Sequence, residues 1–468
     1  MKRLRICVLS MGIVFLFSSL FSLPASANSA QTQWTGTTSS GTILTDEACP
    51  IIVENELLTF DIQEFPLEYY SQTEDFLGYS GSVTAAYTFY NPADYTVEAT
   101  LVFPFGAYPD YGDIYDHETE RRIKNADTDK YEITVNGEAI PKKLRHTFQF
   151  FGAQFDLEKD LAKLNGSDTK QDFYSPELPV TKYTFLAKDV DVDTYDAATA
   201  AIVLSENADE TKVFMENQCG GDSLDEGVRI DTWVDLDEPF SLYVMGKQME
   251  QPPEWKFYHN GACTDEISGR MELIGTESIT LKDFALSKYD ERYGVSENDW
   301  YHAVVYQLEY FEWSYGAIHS TEVDLELSEG SRMMRWYQYD ITLKPGERIV
   351  NTVTAPIYPS IDIDYEPPIY TYTYLLSPAQ TWAAFGELDI VIDTPFYMIQ
   401  SAPEGFDWTN PGYEQNLTGL PEGELTFTLC AETEPTAQRS DGVGKGMIFG
   451  IVLLAAAGGF FISKRKRK

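Results

Sequence analysis

Histidine, cysteine and positive charge are all scarce in this chain. The five histidines, at 117, 146, 259, 302 and 319, show no ligand spacing, and no Cys-x-x-Cys occurs, which argues against a structural zinc site. Lysine and arginine number 34 against 74 acidic residues, so the field repels phosphate backbones and nucleic acid is not an expected partner. No self-similarity at a period of roughly twenty to fifty residues is visible, which argues against solenoids and propellers. The strand-helix rhythm of a parallel sheet is missing too. Long hydrophobic runs occur only at the two ends.

The first run has Lys2, Arg3 and Arg5, an apolar stretch over 6–23, and Pro24-Ala25-Ser26-Ala27, whose small residues at 25 and 27 suit a signal peptidase. A signal peptide over 1–27 is expected, with the mature chain starting near Asn28. The second run, 446–463, is free of charge between Lys445 and Lys464, and its eighteen residues rise about 27 Å as a helix, enough for a hydrocarbon core. Lys464-Arg465-Lys466-Arg467-Lys468 follows, and cations after a span stay cytoplasmic. The expected address is therefore the cell membrane, single-pass, with an extracellular N-terminal ectodomain and a basic cytoplasmic tail at 464–468. The sortase signal Leu-Pro-x-Thr-Gly is met only by Leu420-Pro421-Glu422-Gly423-Glu424, which lacks its last two residues. A retained helix is the better reading. Nine of the 34 cations lie at the two ends, leaving 25 against all 74 acidic residues in 28–444, a formal charge of −49. Such a surface favours neutral or cationic partners.

Loss of the signal removes Cys7 and leaves Cys49, Cys219, Cys263 and Cys430. An even number in an oxidising compartment is compatible with disulfides, and three pairings stand open. A chain of this length carries ample core without them.

Residues 28–48, rich in Thr, Ser, Gly and Gln, read as a flexible lead-in. Alternation then begins, with Leu58, Phe60 and Ile62, then Val83, Ala85, Tyr87 and Phe89, then Tyr95, Val97, Ala99, Leu101 and Phe103 each on one strand face. Asn91-Pro92-Ala93-Asp94 and Asn136-Gly137 supply turns. Short helices are expected over 156–164, stopped by Asn165-Gly166, and over 194–204. Gln251-Pro252-Pro253 marks a boundary. Beyond it Ser296 caps a helix carrying Trp300, Val304, Leu308, Phe311 and Tyr315 on one stripe, with Gly316 where a left-handed C-terminal residue belongs. Strands resume over 369–376, 388–392 and 425–429, and Lys344-Pro345-Gly346-Glu347 makes a turn. The expected fold is mainly β: two β-sandwich-like domains with helical insertions, at 49–250 and 251–430, a stalk over 431–445, and one C-terminal transmembrane helix.

Val83-Thr84-Ala85-Ala86-Tyr87-Thr88-Phe89-Tyr90-Asn91-Pro92, followed by Val97-Glu98-Ala99-Thr100-Leu101-Val102-Phe103-Pro104-Phe105 and later by Val135-Asn136-Gly137, resembles the vault and inter-alpha-trypsin-inhibitor type β domain. The resemblance covers about a quarter of the chain, implies a β-sandwich and implies no catalytic residue. The metal-binding adhesion module that usually follows in that family needs Asp-x-Ser-x-Ser, which this chain lacks. As a whole the chain resembles membrane-anchored surface proteins of Gram-positive bacteria, which implies architecture and no activity.

Three constellations bear on chemistry. Gly221-Asp222-Ser223-Leu224 matches the string after which a family of lipases and esterases is named, and Asp299-Trp300-Tyr301-His302 matches that family's Asp-x-x-His. There Ser223 would be the nucleophile, His302 its base and Asp299 the orienting carboxylate, so all three must meet in space. The family sets its serine after the first strand of an α/β sheet; the β-rich pattern around Ser223 departs from that. Acidic residues alternate at Asp189, Asp191 and Asp193 and again at Asp362, Asp364 and Glu366, hard oxygen donors of the kind calcium takes. At the first trio Thr194 and Ala200 replace the glycine and glutamate of a calcium-binding EF-hand loop, and either trio also reads as a solvated strand edge. Tyr370, Tyr372 and Tyr374 recur at period two and would stand in a row, either as a platform for sugar rings or as core. The reading that emerges is a cell-surface binding or scaffolding module without catalysis or obligatory cofactor, its partners an envelope glycan or protein. The alternative is a serine esterase using Ser223, Asp299 and His302.

Overall fold

A computed structural model describes residues 25–27, 29–38, 41–43, 49–66, 81–106, 113–116, 121–124, 131–150, 155–166, 173–192, 197–205, 208–236, 238–249, 253–327 and 333–438. The protein is mainly β, with several sheets. No helix among the described residues is long and apolar enough to cross a membrane, and the expected span at 446–463 and the apolar run at 6–23 lie outside them.

The alternating runs form the strands Ile52–Asp61, Gly81–Tyr90 and Thr96–Gly106, and their apolar members Leu58, Phe60, Val83, Tyr87, Phe89, Val97 and Leu101 are all buried. Each face is set by period two, which sends one side of a strand to the core. An eight-stranded sheet runs Glu138–Ala139, Glu132–Val135, Arg348–Ile357, Gly81–Tyr90, Ile52–Asp61, Phe385–Asp393, Gly412–Thr418, Asp407–Thr409. Two five-stranded sheets share its core. One holds Lys143–Phe148, Met333–Leu343, Thr96–Gly106, Ala30–Thr38 and Gly41–Ile43; the other holds Ala25–Ala27, Ser360–Asp362, Ile369–Leu375, Leu425–Cys430 and Tyr397–Ala402.

Strand pairing therefore crosses the boundary expected near 251. Gly81–Tyr90 pairs with Arg348–Ile357, and Thr96–Gly106 with Met333–Leu343, so segments from either side of that boundary build one sandwich. The segment between them is an insertion. Gly81–Tyr90 and Thr96–Gly106 are not hairpin partners either; the turn at Asn91 carries the chain from one sheet to another. Asn91 fixes that corner, its side-chain amide donating to the carbonyls of Tyr95, Leu343 and Lys344 and its oxygen accepting from Ala93 N. At Asn136-Gly137 both residues have positive φ, the form a two-residue hairpin turn requires.

The lead-in expected to be flexible supplies the strands Ala30–Thr38 and Gly41–Ile43, and Ser29 is built into the core. Ser29 Oγ lies 2.7 Å from the Tyr339 hydroxyl, Trp382 Nε1 donates to Ser29 O at 3.1 Å, and Ser29 N donates to the Tyr87 hydroxyl. Polar composition does not exclude order, because Ser29 finds partners for its backbone and its hydroxyl inside the core.

The insertion stacks three layers. A sheet of Gln218–Leu224, Gly227–Asp235, Ala197–Leu204, Lys256–Tyr258 and Glu266–Ile267 packs through Ile202, Val228 and Ile230 on a second sheet of Thr211–Met215, Phe240–Gly246, Pro179–Lys188 and Arg270–Thr280. The other face of that second sheet takes the helices. These are α2, Leu281–Ala285, and α3, Glu297–Tyr310, which bury Phe284, Trp300, Val304 and Leu308 against Val180, Phe214 and Met245. A further helix, α1, Leu157–Leu164, forms where a short helix is expected and is capped by Asp156. The helix expected over 194–204 is instead the strand Ala197–Leu204, paired on both sides. Helix α3 begins under Ser296 as expected but ends at Tyr310, because the chain turns back so that Ile318 N donates to Val213 O. Gly316 has φ +72° and no room for a Cβ, which would collide with the Thr211 carbonyl. It answers to close approach and not to a helix end.

Candidate functional site

The seam between sandwich and insertion gathers the titratable groups of the Asp-x-x-His motif. Helix α3 packs on α2 and on the strand Lys143–Phe148, while α1 packs on that same strand. Three to four residues apart on one helical face, Asp299, His302 and Tyr306 line a pocket there with His146, Lys163 and Gly166.

Asp299 is buried and committed. Its Oδ1 accepts from Arg145 Nε at 3.0 Å and its Oδ2 from His146 N at 3.0 Å. Arg145 in turn donates to Gln338 Oε1 at 2.9 Å and to Leu164 O at 3.0 Å, so one guanidinium joins α1, α3 and two sandwich strands. Lys163 is paired with Asp160 at 2.9 Å and lies 5.0 Å from the Tyr306 ring centre. Thr147 Oγ accepts the indole N–H of Trp336 at 2.9 Å. The pocket thus offers two imidazoles, His146 and His302, and an ammonium, Lys163, and its described lining contains neither serine nor cysteine.

His302 is half-buried beside the last turn of α1, where a Cβ at Gly166 would lie 3.6 Å from its Cε1. Burial pushes the imidazole below its ordinary 6.5; Asp299 opposes the shift and Arg145 adds to it. The unfolded chain therefore takes up this proton at a higher pH than the folded one, so stability is intact above 6.5 and falls as pH drops from there through the lower folded value. The His302 imidazole resonances are expected to titrate below 6.5, and His302→Gln to flatten the loss of stability under that pH. A midpoint at or above 6.5 would contradict the assignment.

Ser223 is elsewhere. It is an exposed residue of Gln218–Leu224, paired across a tight hairpin with Val228, on the outer sheet of the insertion. Asp222 pairs with Arg229, and Gly221 lies against Trp313 and the Arg229 carbonyl. The structure brings Asp299 and His302 to one pocket and does not bring Ser223 there, with α3 and the Ser223 hairpin on opposite faces of the four-stranded sheet.

Tyr372 and Tyr374 are fully buried, so the row reads as core and not as a platform open to sugars. Tyr372 stacks on Phe427 at 5.2 Å and Tyr374 meets Phe60 edge-on at 5.8 Å; Tyr370, half-buried, stacks on Phe65 at 3.8 Å. Asp362, Asp364 and Glu366 do not share a strand face. The chain turns after Ser360–Asp362, with Asp364 N donating to Asp362 Oδ1, and Glu366 takes the Gln438 amide at 2.8 Å. Among the described residues no group of three His, Cys, Asp or Glu is arranged to hold a metal ion. Asp189 and Asp191 sit in a loop, with Asp189 facing Arg270 at 3.4 Å, and Asp193 lies outside the described residues.

All four expected cysteines are free thiols. Cys49 belongs to the sandwich core and Cys430 is buried at the end of Leu425–Cys430, whereas Cys219 and Cys263 come together around Asp231 on the insertion. Sequence spacing carries no signal for that meeting. The same outer sheet face presents Trp233, which shares a row with Thr199 and Tyr258 and is 46% exposed, together with Val203 and Leu224.

No family model matches the chain, and no curated protein matches it. Among solved structures, a candidate nutrient-binding protein of Legionella pneumophila is similar over 87% of this chain and 72% of its own, at 10% identity and a TM-score of 0.28. The mu-homology domain of yeast delta-COP-I is similar over 46% of this chain and 82% of its own, at 8% identity and a TM-score of 0.11. Scores that low carry neither a fold assignment nor an activity to this chain.

Proposed function

We propose that the protein is a single-pass, membrane-anchored surface protein whose ectodomain binds or organises a glycan or protein of the cell envelope and performs no catalysis. The apolar ends and the charge contrast between 28–444 and the tail support the address. The dispersal of Ser223 from Asp299 and His302 supports the absence of hydrolysis. The observation that carries the binding role is Trp233, nearly half exposed on an open sheet face in a row with Thr199 and Tyr258. Tryptophan is the residue type most enriched among interface anchors, and this one stands on a rigid sheet.

Two measurements test this. Protease added to intact cells should digest the described ectodomain and spare only a short C-terminal fragment; full protection would sink the address. Purified protein should sediment with isolated envelope material, and Trp233→Ala should weaken that binding by about tenfold or more, as loss of a hot-spot tryptophan does. Unchanged sedimentation of the variant, or none by the wild type, would remove the binding reading.

A further inference from the structure

The outer sheet of the insertion carries two thiols that the proposed binding role does not use. Cys219 sits at a bulge in the edge strand, where the register against Gly227–Asp235 slips between Gln218 and Gly220. A bulge re-aims the extra side chain, and here the Cys219 thiol donates to Asp231 Oδ1 at 3.1 Å. Cys263 reaches the same carboxylate from the turn joining Lys256–Tyr258 to Glu266–Ile267. That turn folds back over the sheet, so that Cys263 packs on Ala201 and Tyr258, and Ala201 is the direct neighbour of Asp231 across the strands.

The turn is built to hold this position. Cys263 adopts φ +51°, a conformation that side chains other than glycine rarely take, and the Asn260 carbonyl and side chain bind Cys263 N and Thr264 N to keep it there. Asp231 is buried with its Oδ2 only 4.0 Å from Arg229 Nε. Cys219 is exposed, so an incoming reagent can reach it. Cys49 and Cys430, in contrast, are both fully buried, the latter with its thiol toward the carbonyls of Pro367 and Pro368.

We infer that Cys219 and Cys263 form a disulfide site, oxidised by exchange with an external disulfide, and that Cys49 and Cys430 remain thiols. The Cys219 thiol gives its proton to solvent, and the thiolate attacks one sulfur of the external disulfide. That S–S bond breaks, one thiolate leaves, and a mixed disulfide forms on Cys219. Cys263, deprotonated in turn, attacks the Cys219 sulfur and expels the second thiolate. Two protein thiols are oxidised to one disulfide while the reagent is reduced to two thiols. The bond pins the turn at one end of the sheet to the strand at the other. Burial and the neighbouring Asp231 push the Cys219 thiol up to about 12, and Cys263 is raised by the same causes, so exchange is expected to be slow at neutral pH and to quicken as pH rises.

The test uses the reduced full chain incubated with oxidised glutathione, followed by alkylation and peptide mapping by mass spectrometry without reduction. A cross-linked pair containing Cys219 and Cys263 is expected, with Cys49 and Cys430 alkylated only after denaturation. The oxidised protein should unfold a few degrees higher than the reduced one. In Cys263→Ser the reaction should stop at a glutathione adduct on Cys219, an adduct the wild type does not accumulate. A persistent adduct on wild-type Cys219, two thiols still open to alkylation, or a link between any other pair would overturn the assignment. None of these readouts depends on membrane anchoring or on envelope binding.

Discussion

Asp299→Ala should destabilise the folded protein by about 3 to 5 kcal/mol, the range for removing one partner of a buried ion pair. The Asp299 side chain is 1% exposed and that of Arg145 is 16% exposed, so neither charge is screened enough to be dispensable. Without the carboxylate, the Arg145 guanidinium keeps Gln338 and Leu164 O but faces the seam with its Nε undirected, and the buried His146 N–H loses its acceptor. Three elements depend on that one contact, because α1, α3 and the strand Lys143–Phe148 meet there. Urea unfolding of the purified chain measures the loss, and pairing the change with Arg145→Ala should cost clearly less than the two single losses added together. A cost under about 1 kcal/mol would mean that the seam is held by apolar packing alone. An esterase role for Asp299 predicts a different pattern, lost turnover with stability kept.

What was legible in the sequence is local. Alternation at Leu58, Phe60, Val83, Tyr87 and Phe89 gives strands with the right faces buried, a helix forms within 156–164, and Ser296 caps a helix where its side chain says it should. Partnership was not legible. A period of two tells which residues share a face and nothing about which strand lies alongside, so the union of 49–148 with 333–430 into one sandwich left no mark in the pattern. The same limit explains the tyrosine row, since Tyr370, Tyr372 and Tyr374 do share a side, and only the neighbouring sheet decides that the side is inward. At 194–204 the alanines pulled the reading toward helix. Pairing of Ala197–Leu204 with strands on both sides overrode that weak preference. The candidate site was half legible: Asp299 and His302 are close because three positions on a helix are close, whereas Ser223 sits on a separate hairpin and the meeting of Cys219 and Cys263 at Asp231 depends on strand pairing that spacing does not record.

Tyr372→Ala carries the second large effect and separates core from platform. The side chain is fully buried between two sheets of the sandwich, stacked on Phe427, which itself meets Phe60 of the eight-stranded sheet edge-on at 5.0 Å. Truncation removes a ring from a close-packed interior, and large aromatic truncations of that kind cost about 3 to 5 kcal/mol. Tyr370→Ala should cost less, because that residue is only half-buried, stacked on Phe65. Urea midpoints for the two variants should therefore fall in that order. A sugar platform predicts the reverse arrangement of effects: glycan binding lost in Tyr372→Ala with its unfolding midpoint unchanged. The ring cannot serve both ends, since stacking on a sugar requires an open face and the Tyr372 ring has Phe427 against it inside the sandwich. If Tyr372→Ala unfolds at the wild-type urea concentration, the inward placement of the row is wrong and the two sheets do not meet through it.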